Sequence, residues 1–239
     1  MVKIAIDADS LLYKACYRVK DEFDFVDIDE AYAELEFIVY DLERTMMAHI
    51  GVFKHYKVKL VFSPSKSFRN IMYPDYKANR PKQRLMGIKE VKEMALDRMS
   101  NAILVNNIEA DDLVIRLAYD YNYIIAAIDK DVLHASPTMC YNYNKGSWHR
   151  PRTKDEIERW YYAQALMGDS TDNIKGAKGI GEIYAWRWVN SFEGELPSWE
   201  EFVEKFNDSE TDAMLNMRLV RMDQVIILNN KIRIKLWIP

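Results

Sequence analysis

Carboxylates recur along this chain in short, tight groups: Asp7 with Asp9, Glu109 with Asp111 and Asp112 (EADD), Asp129 with Asp131 (DKD), and Asp169 with Asp172 (GDSTDN). Gathered in one place, these acids could not all stay ionised alone. Two like charges about 4 Å apart repel by roughly 4 kcal/mol at an effective dielectric near 20. Hard divalent cations offset that repulsion, and an all-oxygen, histidine-free ligand set suits Mg²⁺ or Mn²⁺. A pair of such ions roughly 4 Å apart can activate a water and stabilise the leaving oxygen of a phosphodiester. Each group alone also has a plainer use. Asp-x-Asp closes strands or caps helices, and EADD before an apolar run complements a helix dipole. His49, His55, His134 and His149 lack zinc-ligand spacing, and no EF-hand loop occurs.

The groups matter only if the fold brings them together. Residues 2–6, 57–62, 102–105 and 123–128 are short, apolar or alternating runs that read as strands. Between them lie stretches of helical spacing at 28–49, 87–99 and 111–121, the first stopped by Gly51. Strand–helix–strand alternation predicts an α/β fold, a parallel sheet covered on both faces. In such sheets ligands bind beyond the carboxyl ends of the strands. Asp7, the EADD group and the DKD group all follow predicted strands, so they should share that edge. Residues 63–84 carry Pro64, Pro74 and Pro81 and read as a loop too polar for the core. A small hairpin is expected around Lys145-Gly146. Thr153 with Glu156 forms a capping box for a helix through 166, and helices dominate thereafter, at 182–190, 199–206 and 211–222.

The 239 residues, 49% apolar, suffice for one large unit with a proper core. The net charge of −4 hides a basic segment. From Lys66 to Arg98, nine basic residues face four acids, which is either a local phosphate-binding surface or a solvated helix face. The opening MVKIAIDAD reads as a first strand rather than a signal peptide, and no apolar run is membrane-length. Cys16 and Cys140 lack C-x-x-C spacing, in keeping with a reduced, cytoplasmic protein. GAKGIG, with Gly176, Gly179 and Gly181, precedes an apolar helix. Such a hairpin can present backbone amides to a phosphate, directly or through a monovalent cation, with Lys175 and Lys178 adding charge. It could equally be a plain helix–turn–helix.

In order, the chain reads IDADSLLYKA, PDYKANRP, EADD, DKD and GDSTDNIKGAKGIG. Over residues 4 to about 189 it resembles the flap endonuclease and 5′→3′ exonuclease family, most of all the compact stand-alone enzymes of lytic phages. The resemblance implies a PIN-like metal-binding core at 1–150 with a helical arch at about 70–100. It implies a helical, helix-three-turn-helix duplex-binding region of the same unit at 151–239. By the same resemblance, Asp7, Glu109, Asp111, Asp112, Asp129, Asp131, Asp169 and Asp172 hold two Mg²⁺ or Mn²⁺ ions. Lys77 and Arg80 contact the scissile phosphate, Tyr76 packs near the displaced base, and Lys82 and Arg84 extend the DNA contact. Lys175, Gly176, Lys178, Gly179 and Gly181 grip the duplex backbone, with K⁺ as the bridging ion.

The reaction implied is in-line hydrolysis that leaves a 5′-phosphate and a 3′-hydroxyl. The substrates implied are duplex DNA with a 5′ end, nick or flap, and RNA paired to DNA. No protein partner is evident, and a monomer is expected. One position departs from the pattern: family members usually carry an aspartate after the second strand, where this chain has Ser63-Pro64-Ser65. Asp9, placed on the same face as Asp7 if the strand continued, is read as its partial replacement. Two alternatives stay open at this point, a PIN-type ribonuclease and a structure-selective DNA-binding protein that has lost a metal.

Overall fold

The computed structural model describes residues 1–52, 55–80, 85–229 and 231–239. Its main sheet has six strands, in the order β3 (Ala102–Leu104), β2 (Tyr56–Phe62), β1 (Val2–Asp7), β4 (Ile124–Ala126), β5 (Cys140–Asn142) and β6 (Ser147–His149). The first five run parallel, and β6 turns back antiparallel on β5 through the Lys145-Gly146 hairpin. Register puts Asp7 beside Val61 and Ile6 beside Ala126, so β1, β2 and β4 end on one edge.

Period-two alternation decides which residue faces which layer. Ile4, Ile6, Leu60 and Phe62 pack with α1 (Asp9–Val19), α2 (Ile28–Ile50) and α4 (Ile88–Arg98). Ala5, Val61 and Ile125 face the opposite layer, with α5 (Ala110–Tyr121), α7 (Lys154–Met167) and α10 (Glu210–Val220). Cys16 and Cys140 are buried in different layers, both unpaired. Among the described residues, no helix is long and apolar enough to cross a membrane.

The expected strands and long helices are present, and four local differences matter. Asp129 caps a short helix, α6 (Lys130–Ala135), where only a strand end was expected. The last third is less helical than its spacing suggests: after α8 (Glu182–Val189), α9 (Trp199–Glu204) and α10, VIIL and KIRI form the hairpin β7 (Val225–Leu228) and β8 (Lys231–Ile234). Their β-branched residues favour strands.

Residues 63–80 are not an uncommitted loop, because α3 (Phe68–Met72) buries Phe68 and Arg69, and Tyr76 is buried too. Finally, Tyr76–Arg80 forms turns rather than the start of an arch helix. Lys77 there holds a left-handed φ of 57°, a conformation that non-glycine residues adopt sparingly and often at functional sites. Lys82 and Arg84 lie outside the described residues.

Candidate active site

Beyond the carboxyl edge of the sheet lies a cavity of about 1450 Å³, lined by Asp7, Asp9, Glu109, Asp111, Asp129, Asp131, Asp169 and Asp172. Four separate stretches of chain deliver these acids. The end of β1 supplies Asp7, and the start of α5 supplies Glu109 and Asp111. The cap and first turn of α6 supply Asp129 and Asp131, and the turn after α7 supplies Asp169 and Asp172.

Asp9 arrives by a route other than the expected one. The strand stops at Asp7 and Asp9 opens α1, so strand periodicity does not place it. Instead the Asp9 amide donates to Asp7 Oδ1 (3.2 Å), and both Asp9 oxygens accept from the Ser63 amide (3.2 Å). Ser63, standing where the family pattern has an aspartate, accepts from the Ala110 amide through Oγ (2.9 Å) and so caps the helix that carries Asp111.

Crowding shows in the proton affinities. Burial, then Asp9 and Asp129, push the Asp7 carboxyl up to about 8. Burial and Asp129 raise Asp131 to about 7. Asp111 is driven well above its ordinary value by burial, Asp7 and Asp129, and burial raises Asp9 as well. Glu109 goes the other way: burial opposes its charge, but Lys77 and Arg69 outweigh that and hold it below the usual glutamate range.

The donor set fits a hard divalent cation. It is all oxygen, its carboxylates repel one another, and Asp131 Oδ1 is buried with no hydrogen-bond partner among the described residues. As the side chains stand, no three such groups among the described residues are gathered closely enough to enclose an ion. Several of their oxygens are held by cationic side chains.

Those cations fall into two kinds. Arg69, 3% exposed, forks onto both oxygens of Asp112 (2.6 and 2.8 Å) and reaches Glu109 Oε2 (2.9 Å). It also donates to the carbonyls of Leu219 (2.8 Å) and Arg221 (2.6 Å) at the end of α10. Asp112 is 0% exposed and does not line the cavity. The expectation that it ligates metal is corrected: in this geometry both its oxygens are the counter-ion of Arg69.

Lys77 and Arg80 belong to the second kind, at the cavity mouth. Lys77 Nζ lies 2.5 Å from Glu109 Oε1 and 3.8 Å from Asp172 Oδ2, and Arg80 contacts Asp172 Oδ1 (2.5 Å). Their segment is stitched to the GDSTDN turn by the Lys77 amide on Asp172 O (2.9 Å) and by Asn173 Nδ2 on Asp75 O (2.8 Å). Tyr76 departs from expectation. It is 4% exposed, with its hydroxyl 3.0 Å from Glu109 Oε2 and 3.1 Å from Asp172 Oδ2. A phenol held between two carboxylates is not free to stack on a displaced base. Burial and Glu109 raise its pKa well above the usual tyrosine range.

Sequence reasoning missed Arg69, Gln164 and Tyr143. Gln164, in the last turn of α7, donates to Asp131 Oδ2 (3.3 Å) and Asp169 Oδ2 (3.4 Å). Tyr143 sends its hydroxyl to the carbonyl of Asp7 (3.0 Å). Gln164 left a signal, a lone polar residue in the apolar run WYYAQALM.

The glycine loop joins α7 to α8. Gly176 (φ 67°) packs against Gly168 (φ 70°), and a Cβ on Gly176 would sit 2.5 Å from the Gly168 nitrogen. Its own amide donates to Asn216 Oδ1 (3.0 Å). Gly176 is therefore a packing residue, and its amide is not available to a phosphate as expected. Gly179 (φ 80°) and Gly181 have open space around them. Among the described residues their amides, and that of Lys178, have no partner. Lys175 and Lys178 are exposed beside them.

Comparison with known proteins places this arrangement. The family model described as the 5′-3′ exonuclease, N-terminal resolvase-like domain, matches residues 3–167. The chain belongs to this 5′-3′ exonuclease family. A 5′-3′ exonuclease of Buchnera aphidicola is 29% identical over 223 residues, covering 79% of this chain and 74% of that protein. The flap endonuclease of Escherichia phage T5 is 25% identical over 187 residues, covering 64% of each chain. Among solved structures, T5 D15 protein co-crystallised with metal ions has a TM-score of 0.65 at 17% identity, covering 93% of this chain and 90% of that one. At that identity the likeness shows the fold, a mostly parallel sheet flanked by helices.

Proposed function

We propose that this chain is a divalent-metal-dependent 5′→3′ exonuclease and structure-specific 5′ nuclease, hydrolysing DNA phosphodiesters at or near 5′ ends. The observation that carries this reading is the convergence of seven aspartates and Glu109 on one cavity whose mouth holds Lys77 and Arg80. Family membership supports it.

Asp7, Asp9, Glu109, Asp111, Asp129, Asp131, Asp169 and Asp172 would hold two Mg²⁺ or Mn²⁺ ions. Such ions supply Lewis-acid charge that eases deprotonation of a water and offsets charge developing on the phosphate. The remaining work falls to the chain's own side chains. Lys77, a point charge, and Arg80, a forked donor, leave their carboxylate partners to meet the scissile phosphate. Tyr76 holds Glu109 and Asp172 in place. The open amides at Lys178, Gly179 and Gly181, with Lys175 and Lys178 and a K⁺ ion, hold a duplex phosphate without reading bases. Here α7, the glycine loop and α8 act as the helix-three-turn-helix of a region at 151–239. The substrate is duplex DNA with a 5′ end, nick or flap, and RNA–DNA hybrids are a second substrate. The active species is a monomer working in the cytoplasm.

The test compares linear duplex, nicked circle, 5′ flap and RNA–DNA hybrid with Mg²⁺ and with chelator. Cleavage from 5′ ends that needs Mg²⁺ is expected, and Asp129→Ala should abolish it while DNA binding persists. An Asp129→Ala protein that cuts at the parental rate overturns the reading.

A further inference from the structure

Gln164 is 2% exposed, between Ala163 and Ala165 on a helix whose neighbouring side chains are aromatic or aliphatic. A buried amide in such a place has to find partners. Those it finds are two carboxylates from separate parts of the chain: Asp131 in α6, through Oδ2 (3.3 Å), and Asp169 after α7, through Oδ2 (3.4 Å).

With Asp131 and Asp169 ionised, as cation binding requires, only the NH₂ group can face both, because the carbonyl oxygen in its place would repel them. The amide orientation is therefore fixed by chemistry. Among the described residues, two polar atoms of this group remain without a hydrogen-bond partner, Gln164 Oε1 and Asp131 Oδ1. The amide thus satisfies one Asp131 oxygen and leaves the other free. A lysine or arginine here would neutralise the acids and compete with a cation, whereas an apolar residue would let them repel. A neutral double donor does neither.

We propose that Gln164 is a positioning residue, bridging Asp131 and Asp169 so that the unpartnered Asp131 Oδ1 faces a divalent ion beside Asp169, whose own Oδ1 is steadied by the Thr171 amide (2.7 Å). This inference rests on the metal-dependent reading above. Outer-shell partners of this kind commonly change metal affinity by about 10- to 100-fold.

The experiment titrates Mn²⁺ into the metal-free full chain by calorimetry, for the parent and for Gln164→Met, which keeps length and volume but cannot donate. The variant should bind Mn²⁺ about tenfold more weakly. Its Mg²⁺ requirement for flap cleavage should rise by a similar factor, with duplex affinity in chelator unchanged. A Gln164→Met protein with the parental Mn²⁺ midpoint overturns the inference. A parent that neither binds Mn²⁺ nor cleaves sinks the functional reading instead.

Gln164→Glu gives a second readout, independent of activity. A third acid at this spot should lower the melting temperature in chelator at pH 8, and Mn²⁺ should recover most of the loss. Melting curves equal to the parent's, with and without Mn²⁺, would also overturn the proposal.

Discussion

Two arginines touch the same acid cluster and are built for opposite purposes. Arg69 is 3% exposed and donates to two carboxylates and two carbonyls, tying α3, α5 and the end of α10 together. Arg80 keeps a side chain 49% exposed and holds a single carboxylate, Asp172. The first has no donor left to offer a substrate. The second, on the proposed reading, would give up only one half-exposed ion pair, a kind worth little, in turning toward a phosphate. The inner end of the cavity is therefore framework, and its mouth is the part the proposed function uses as a working surface. Basic residues in one short stretch are separated by burial, not by type.

The sharpest way to break that distinction is to remove the inner arginine. Arg69→Met strands Asp112 at 0% exposure and takes a partner from Glu109. Breaking a buried pair in this way costs about 3–5 kcal/mol, a fall in melting temperature on the order of 10 °C for a chain of this size. Adding Asp112→Leu removes the stranded charge and should recover much of the loss, since apolar replacement of both partners is often neutral. Thermal melts in chelator measure both. If Arg69→Met melts like the parent, the inner end is not framework.

The carboxylates themselves give the next largest effect, a loss of stability as pH rises. Asp7 is raised from 3.8 to about 8, and Asp131 to about 7. A raised acid binds its proton more tightly folded than unfolded. The resulting stability is fully present below about pH 4 and is lost as pH rises through 7 and 8. Metal-free protein should therefore melt at progressively lower temperature from pH 5 to pH 8.5. Mg²⁺ should flatten that slope by compensating the ionised acids. A metal-free protein that gains stability across this range would show that the acids do not crowd one another.

Much of this was legible in the sequence, for identifiable reasons. Strand runs ending in acids fixed the sheet edge, because parallel strands in register end together. Thr153 with Glu156 marked the start of α7 through local bonds alone. What escaped notice depends on tertiary partners. Nothing near Arg69 in the chain hints that Asp112, 43 residues on, consumes its donors. Tyr76 is placed near the displaced base by the resemblance alone, yet its ring is covered and its hydroxyl is drawn between Glu109 and Asp172. Gly176 and Gly179 look alike in GAKGIG. Only the close approach of Gly168 separates a packing glycine from an open one.

The smallest stability change should come from Arg80→Ala, and that is why it sharpens the comparison. Its pair with Asp172 is half in solvent, so its loss should move stability by no more than about 1 kcal/mol. The effect on catalysis should be larger. Losing one donor aimed at developing phosphate charge costs roughly 100-fold in rate. Single-turnover cleavage of a 5′ flap at saturating Mg²⁺ separates chemistry from binding. The rate should fall while duplex affinity, which the proposed function assigns to the glycine loop, stays near parental. If Arg80→Ala cleaves at the parental rate, the mouth arginine only neutralises Asp172, and the division between framework and working cation rests on Lys77 alone.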